Sequence, residues 1–121
     1  MELNPDTVAE QLGVLIVEYG QALNLHLRIP IDVEQVADQT NHAPQAVLKL
    51  HLLLRLQGLE GTVALVAHGF LNAWNAMVIV SYEMFANRDP GVREAAEGSY
   101  SWLCGQAMAS IEFLKSHADG A

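Results

Sequence analysis

Residues 61–82 read GTVALVAHGFLNAWNAMVIVSY and contain no Asp, Glu, Lys or Arg. The stretch is long enough for about six turns of α-helix, and its apolar content predicts a helix at the centre of the structure. His68, Asn72 and Asn75 follow one another at spacings of four and three, so three polar side chains share one face of that helix. We therefore expect the other segments to pack around it.

Helix signals lie on both sides of this stretch. Pro5 follows an asparagine and Pro90 follows an aspartate, so each pairs a good N-cap with a proline suited to the first helical position. Apolar residues recur at spacings of three and four, and no segment alternates with period two between turn signals. A proline inside a helix loses a hydrogen bond, so we expect the second helix to be broken between Asn41 and Pro44. The predicted helices are residues 5–28, 32–41 with 44–57, 62–87 and 90–117.

Short connections between helices make sequence neighbours antiparallel. The sequence thus predicts an all-α fold, a four-helix up-down bundle, in a single domain covering residues 1–121. Six leucines between positions 48 and 56 point to nearly all sides of their helix, which predicts neighbours on more than one face. Gly13 and Gly20 share one face of the first helix, and we expect a close helix neighbour along that line.

Composition narrows the class of protein. Hydrophobic residues make up 51% of the chain and charged residues 17%, which is more apolar surface than one small core is expected to hide. A homodimer or another protein partner would cover the excess. The formal net charge of −8 repels nucleic-acid phosphates and anionic membranes, so we expect neither to be a partner.

Location is inferred from three sequence features. Cys104 is the single cysteine, which leaves no internal disulfide and fits a reducing compartment. No basic segment followed by an apolar run opens the chain, so no secretory signal is recognised. Residues 61–82 have the length of a membrane span, but the three polar side chains near their middle and the acidic flanks favour a buried helix of a soluble protein. We expect a cytoplasmic protein.

Catalytic signatures were not found. No glutamate has a histidine three residues later, and no two histidines are four residues apart, so the sequence predicts neither a di-iron nor a helix-borne zinc site. Cys104 has no neighbouring base that would activate its thiol, and no glycine-rich loop has the spacing of a phosphate-binding loop. We expect no enzyme activity, no metal and no cofactor.

Residues 32–59, DVEQVADQTNHAPQAVLKLHLLLRLQGL, resemble the helix-turn-helix segment of winged-helix regulators and the similar segment in dimerisation domains of small-molecule methyltransferases. The resemblance implies a packed helix pair and, for the regulators, DNA binding by the second helix. Asn41 stands where the turn glycine is usual, and no charged wing follows Leu59. Lys49 and Arg55 are the only cations of the segment, which would give weak phosphate binding. We interpret the segment as a packing geometry.

These observations favour a small acidic helical module that binds protein, as a regulator, adaptor or inhibitor, and forms a homodimer. Uncharged hydrogen-bonding groups on a second face of the central helix suit an interface better than open solvent. A first alternative is a small-molecule site or enzyme, with the polar side chains facing a cavity lined by a tryptophan. A second alternative is a helix-turn-helix transcriptional regulator. The candidate interface or binding residues are His68, Asn72, Asn75, Ile79, Tyr82, Trp74 and Trp102.

Overall fold

A computed structural model describes residues 3–39 and 43–118. The helices are α1 (Pro5–Asn24), α2 (Val33–Gln39), α3 (Ala43–Leu56), α4 (Gly61–Ala86) and α5 (Pro90–Ser116). No strand occurs within the described ranges. The predicted all-α class is confirmed.

Local chemistry explains most helix boundaries. The side chain of Asn4 accepts a hydrogen bond from the backbone N–H of Thr7 at 2.9 Å, and the side chain of Thr7 accepts one from the backbone N–H of Asn4, which fixes the start of α1. Asp89 caps α5 by accepting from Gly91 N at 2.8 Å. Gly61 opens α4 with φ +70°, a left-handed conformation that glycine adopts without steric cost.

The first helix ends at Asn24, four residues earlier than the predicted limit at residue 28. Asn24 holds the backbone of Ile31 through two hydrogen bonds of 2.8 Å, one donated and one accepted. These bonds pull residues 25–31 out of the helical path. The spacing of apolar residues does not predict such a contact between residues seven apart. The predicted helix was therefore too long.

The predicted break in the second helix separates α2 from α3. Residues 40–42, including Asn41, lie outside the described residues. Pro44 lies in the first turn of α3, where its missing N–H is not needed.

The core forms where α4 and α5 pack along each other and α1 lies against both. Tyr19 of α1 is fully buried; its ring stacks on Phe70 with centroids 4.0 Å apart, and its hydroxyl donates to the carbonyl of Ala67 at 2.9 Å. Trp74 Nε1 donates to the carbonyl of Leu12 at 3.0 Å. Tyr100 of α5 donates to the side chain of Gln11 at 2.6 Å. These bonds satisfy buried polar atoms and fix α1 on the α4–α5 pair.

The remaining short helices cover one side of this core. Helix α3 packs on α4, and α2 packs between α3 and α1. A Cβ added at Gly20 would meet Val33 of α2 at 3.1 Å, so the expected close helix neighbour is present there. Gly13 has nothing within 4 Å of such a Cβ, so that half of the expectation is wrong.

Neighbours were also expected around most of α3, and that expectation is wrong for one side. The buried face of α3 carries Ala46, Val47, Leu50 and Leu54. On the opposite face, Leu48 is 61% exposed, Leu52 52% and Leu56 83%. Leucine on all sides of a helix therefore reflects one core face and one uncovered apolar face. That uncovered face needs a separate explanation.

Candidate binding surface

Helix α4 has one buried side and an opposite side that is largely exposed, although α3 lies against it at His68. The buried residues lie within a single arc of the helix: Ala67, Phe70, Leu71, Trp74, Met77 and Met84. The opposite side, here called the outer face of α4, carries Leu65, His68, Asn72, Asn75 and Ile79. Leu65 is 75% exposed and Ile79 52%. No charged side chain lies on this face between Gly61 and Tyr82.

The sequence-predicted residues fall into three groups. His68, Asn72, Asn75 and Ile79 share the outer face, with Tyr82 exposed at its edge. Trp74 lies on the buried side of the same helix, where its indole nitrogen already has a partner. Trp102 is exposed on the outer side of α5. The structure thus brings five of the seven residues together and separates the two tryptophans from them.

Asn75 carries the clearest sign of an incomplete environment. Its Oδ1 atom is buried and has no hydrogen-bond partner among the described residues. A buried polar atom left unpaired costs about 1–3 kcal/mol.

His68 forms a contact that sequence reasoning did not predict. Its Nδ1 atom lies 2.7 Å from Nδ1 of His51 on α3, and the two ring planes differ by 12°. The ring centroids are 4.9 Å apart, close to the largest separation that two imidazoles with such a nitrogen distance can have. The rings therefore meet edge to edge through one Nδ1–H···Nδ1 hydrogen bond. One ring carries the proton and the other offers its lone pair.

Both histidines have a lowered pKa, which favours the neutral form. Burial lowers the pKa of His51; a hydrogen bond with Asn72 opposes this lowering and the charge of Arg55 adds to it. Burial also lowers the pKa of His68, with smaller contributions from His51 and Arg55. Protonation of both rings would place two Nδ1–H donors against each other, which the shared hydrogen bond cannot accommodate.

This histidine pair makes the stability of the α3–α4 contact depend on pH. The unfolded histidines titrate near a pKa of about 6.5, whereas the folded pair titrates lower, so the unfolded state takes up protons first as the pH falls. The free energy of unfolding should be undiminished above about pH 6.5 and decline as the pH falls through the lowered folded-state pKa. Urea denaturation between pH 7.5 and 5 measures the decline. The His51→Gln variant should show a smaller decline of the free energy of unfolding than the wild type. An equal decline in the wild type and the variant would contradict the attribution of the pH dependence to the histidine pair.

Charge is distributed unevenly over the molecule. Residues 19–31 and 39–59 contain none of the fourteen acidic residues but three of the six basic ones: Arg28, Lys49 and Arg55. The ion pair between Lys115 and Glu112 on α5 is the one found within the described ranges, so these three cations have no carboxylate partner there. Two of these three cations lie on α3 and the third lies in the loop after α1.

Open clefts lie away from the polar residues of α4. One of about 360 Å³ lies between α1 and the end of α4, lined mainly by Val8, Leu12, Tyr82 and Phe85. Another of about 550 Å³ lies between the loop after α1 and the end of α3, and it is lined by Arg28, Ile29, Pro30, Ile31, Leu53, Leu56 and Gln57. Neither cleft includes His68, Asn72, Asn75 or either tryptophan.

Metal and thiol chemistry have little support in the described part of the chain. No group of three or more His, Cys, Asp or Glu side chains is placed to hold a metal ion there. Cys104 is buried on α5, its Sγ lies 4.0 Å from the Sδ of Met108, and burial raises the pKa of its thiol. A raised pKa keeps a thiol protonated and unreactive at neutral pH.

Comparisons with protein-family models, curated proteins and solved structures gave no match. One helix among the described residues, α4, is long and apolar enough to cross a membrane, and 28% of its most apolar window is buried.

Proposed function

We propose that this protein is a small helical protein-binding module, a regulator, adaptor or inhibitor, that forms a homodimer through the outer face of α4. The observation that carries the proposal is the uncharged character of this face combined with its exposure. Leu65 and Ile79 remain in solvent in the single chain, and Asn75 has a buried unpaired oxygen. An interface on this face would bury the exposed apolar area of Leu65 and Ile79.

The absence of charge on the outer face of α4 supports a second copy of the chain as the partner that binds there. Two molecules with a net charge of −8 repel each other wherever acidic surfaces meet. The outer face of α4 can approach its own copy without that penalty. In a two-fold interface, the exposed amide of Asn72 can donate to and accept from its copy, because an amide carries both functions.

The area of the outer face of α4 can be compared with that of standard protein interfaces. A 26-residue helix is about 39 Å long at 1.5 Å per residue, and a contact strip about 10 Å wide covers roughly 400 Å². Standard interfaces bury about 800 Å² per partner. The proposal therefore predicts a dissociation constant on the order of micromolar, unless neighbouring helices extend the contact.

The proposal includes the finer arrangement and the location. Short connections support an antiparallel up-down order of α1, the α2–α3 pair, α4 and α5. The single cysteine supports a reducing compartment, hence the cytoplasm. The helix-turn-helix alternative is weakened by the exposed leucines of α3, since base edges and phosphates are recognised by polar and cationic side chains.

Asn72→Asp tests the proposal by adding one charge to the outer face. We expect dimer affinity to fall about tenfold, because two carboxylates would face each other across the two-fold axis. Sedimentation velocity over a concentration series measures the change. The matched control is Gln21→Glu, an amide-to-acid change at an exposed position of α1. Equal association of the wild type and Asn72→Asp would refute an interface at this face.

A further inference from the structure

The uncovered face of α3 carries a pattern distinct from that of α4. Leu48, Leu52 and Leu56 are spaced by four residues and form an exposed apolar stripe along the helix. At 100° per residue, Lys49 lies on one edge of this stripe and Arg55 on the other. The stripe is therefore bordered by a cation on each side.

The stripe continues beyond α3 into the open cleft beside the loop after α1. Leu56 belongs to both, and Arg28 and the exposed Ile29 line the far side of the cleft. Gln57 bonds the backbone of Ile29 as donor and as acceptor, which fixes the loop against the end of α3. No acidic residue lines the cleft.

We propose that this surface, formed by Leu48, Leu52, Leu56, Ile29 and the cations Arg28, Lys49 and Arg55, binds an amphipathic helix of a partner protein whose apolar stripe is edged by Asp or Glu. The inference rests on the proposed function as a protein-binding module and names the chemistry of its partner. Helices lay apolar side chains into such grooves at spacings of three, four and seven residues.

Charge complementarity selects this occupant. The three cations have no carboxylate partner within the described part of the chain, although the protein carries more than twice as many acids as bases. If a second copy of the chain bound through the same surface, the cations of the two copies would lie close together and repel each other. An acid-edged helix places carboxylates beside Lys49 and Arg55 while its leucines cover the stripe. An anionic membrane would meet the same cations but would be repelled by the rest of the surface.

The test uses two synthetic helical peptides with leucine at alternating spacings of three and four. One has glutamate along both edges of the stripe and the other has lysine. Fluorescence anisotropy with the full chain should give saturable binding of the glutamate-edged peptide, at least about tenfold tighter than the lysine-edged peptide and weakened by salt. Equal binding of both peptides, or of neither, would overturn the inference.

Substitutions on α3 test whether the peptides bind at the proposed surface. Lys49→Glu with Arg55→Glu should invert the preference, so that the lysine-edged peptide binds more tightly. The control Arg88→Glu with Lys115→Glu makes the same change of net charge away from α3 and should leave the preference unchanged. Leu52→Asn should weaken both peptides about tenfold. Binding of the wild type to phosphatidylserine vesicles, abolished by the Lys49 and Arg55 double variant, would assign the surface to a membrane and overturn the inference.

Failure of this inference can be told apart from failure of the proposed dimer. The Lys49 and Arg55 double variant leaves the outer face of α4 intact and should keep the wild-type sedimentation behaviour. A monomeric protein that still prefers the glutamate-edged peptide would refute the dimer and support the α3 surface. A dimer without that preference would support the α4 interface and refute the α3 surface.

Discussion

Ile79→Glu is expected to dissociate the dimer, with a loss of affinity of about a hundredfold. Ile79 is 52% exposed on the uncharged outer face, so a second chain docked there would bury the side chain at this position. A glutamate there would lose its hydration without gaining a cation, since no base lies between residues 61 and 82. Sedimentation equilibrium at several micromolar concentrations measures the effect.

Val14→Glu is the matched control for this substitution. Val14 lies on α1 and is 51% exposed, so the substitution converts an equally accessible β-branched side chain to the same acid. Both variants should keep the helical circular dichroism of the wild type, because neither position belongs to the core. Dissociation by both substitutions would attribute the effect to net charge, and dissociation by Val14→Glu alone would move the interface to α1.

Tyr19→Ala is expected to lower the free energy of unfolding by about 3–5 kcal/mol, the range for removal of a buried aromatic ring. Tyr19 is fully buried, and its contact with Phe70 and bond to Ala67 join α1 to α4. Its loss leaves a cavity between the two helices. Burial also raises the pKa of the Tyr19 hydroxyl, which keeps the donor protonated at neutral pH.

Tyr19→Phe separates the ring from its hydroxyl. This variant keeps the stacked ring and loses one hydrogen bond, so its cost should be about 1 kcal/mol. Urea unfolding of both variants at pH 7.5, where the histidine pair is neutral, measures the two costs. Equal costs would mean that packing on Phe70 contributes nothing to stability, contrary to the buried position of the ring.

Regular periodicity was sufficient to predict the long helices. The limits of α4 differ from those predicted by one residue at each end, and α5 begins at the expected proline. Their starts are set by local sequence, since Gly61 opens α4 in a left-handed conformation and the Asp89 side chain caps α5. The early end of α1 was missed because Asn24 binds Ile31, a contact that depends on how the chain folds back.

The candidate surface was predicted in part. The polar face of α4 follows from spacing alone, so its residues were identifiable without coordinates. The partner of His68 was not, because the position of His51 opposite it depends on the register of α3 against α4. The exposed leucines of α3 were misread for a related reason. The sequence shows which side chains are apolar. Whether a neighbouring helix buries them depends on the packing of the folded chain.

The most direct test of the proposed function is the mass of the unmodified protein in solution. Sedimentation equilibrium from low to high micromolar concentration should show a transition from the chain mass of 13.2 kDa to twice that value. The midpoint should lie in the micromolar range that the size of the α4 face implies. A constant mass of 13.2 kDa up to the highest concentration would contradict the proposal that a second chain covers the outer face of α4.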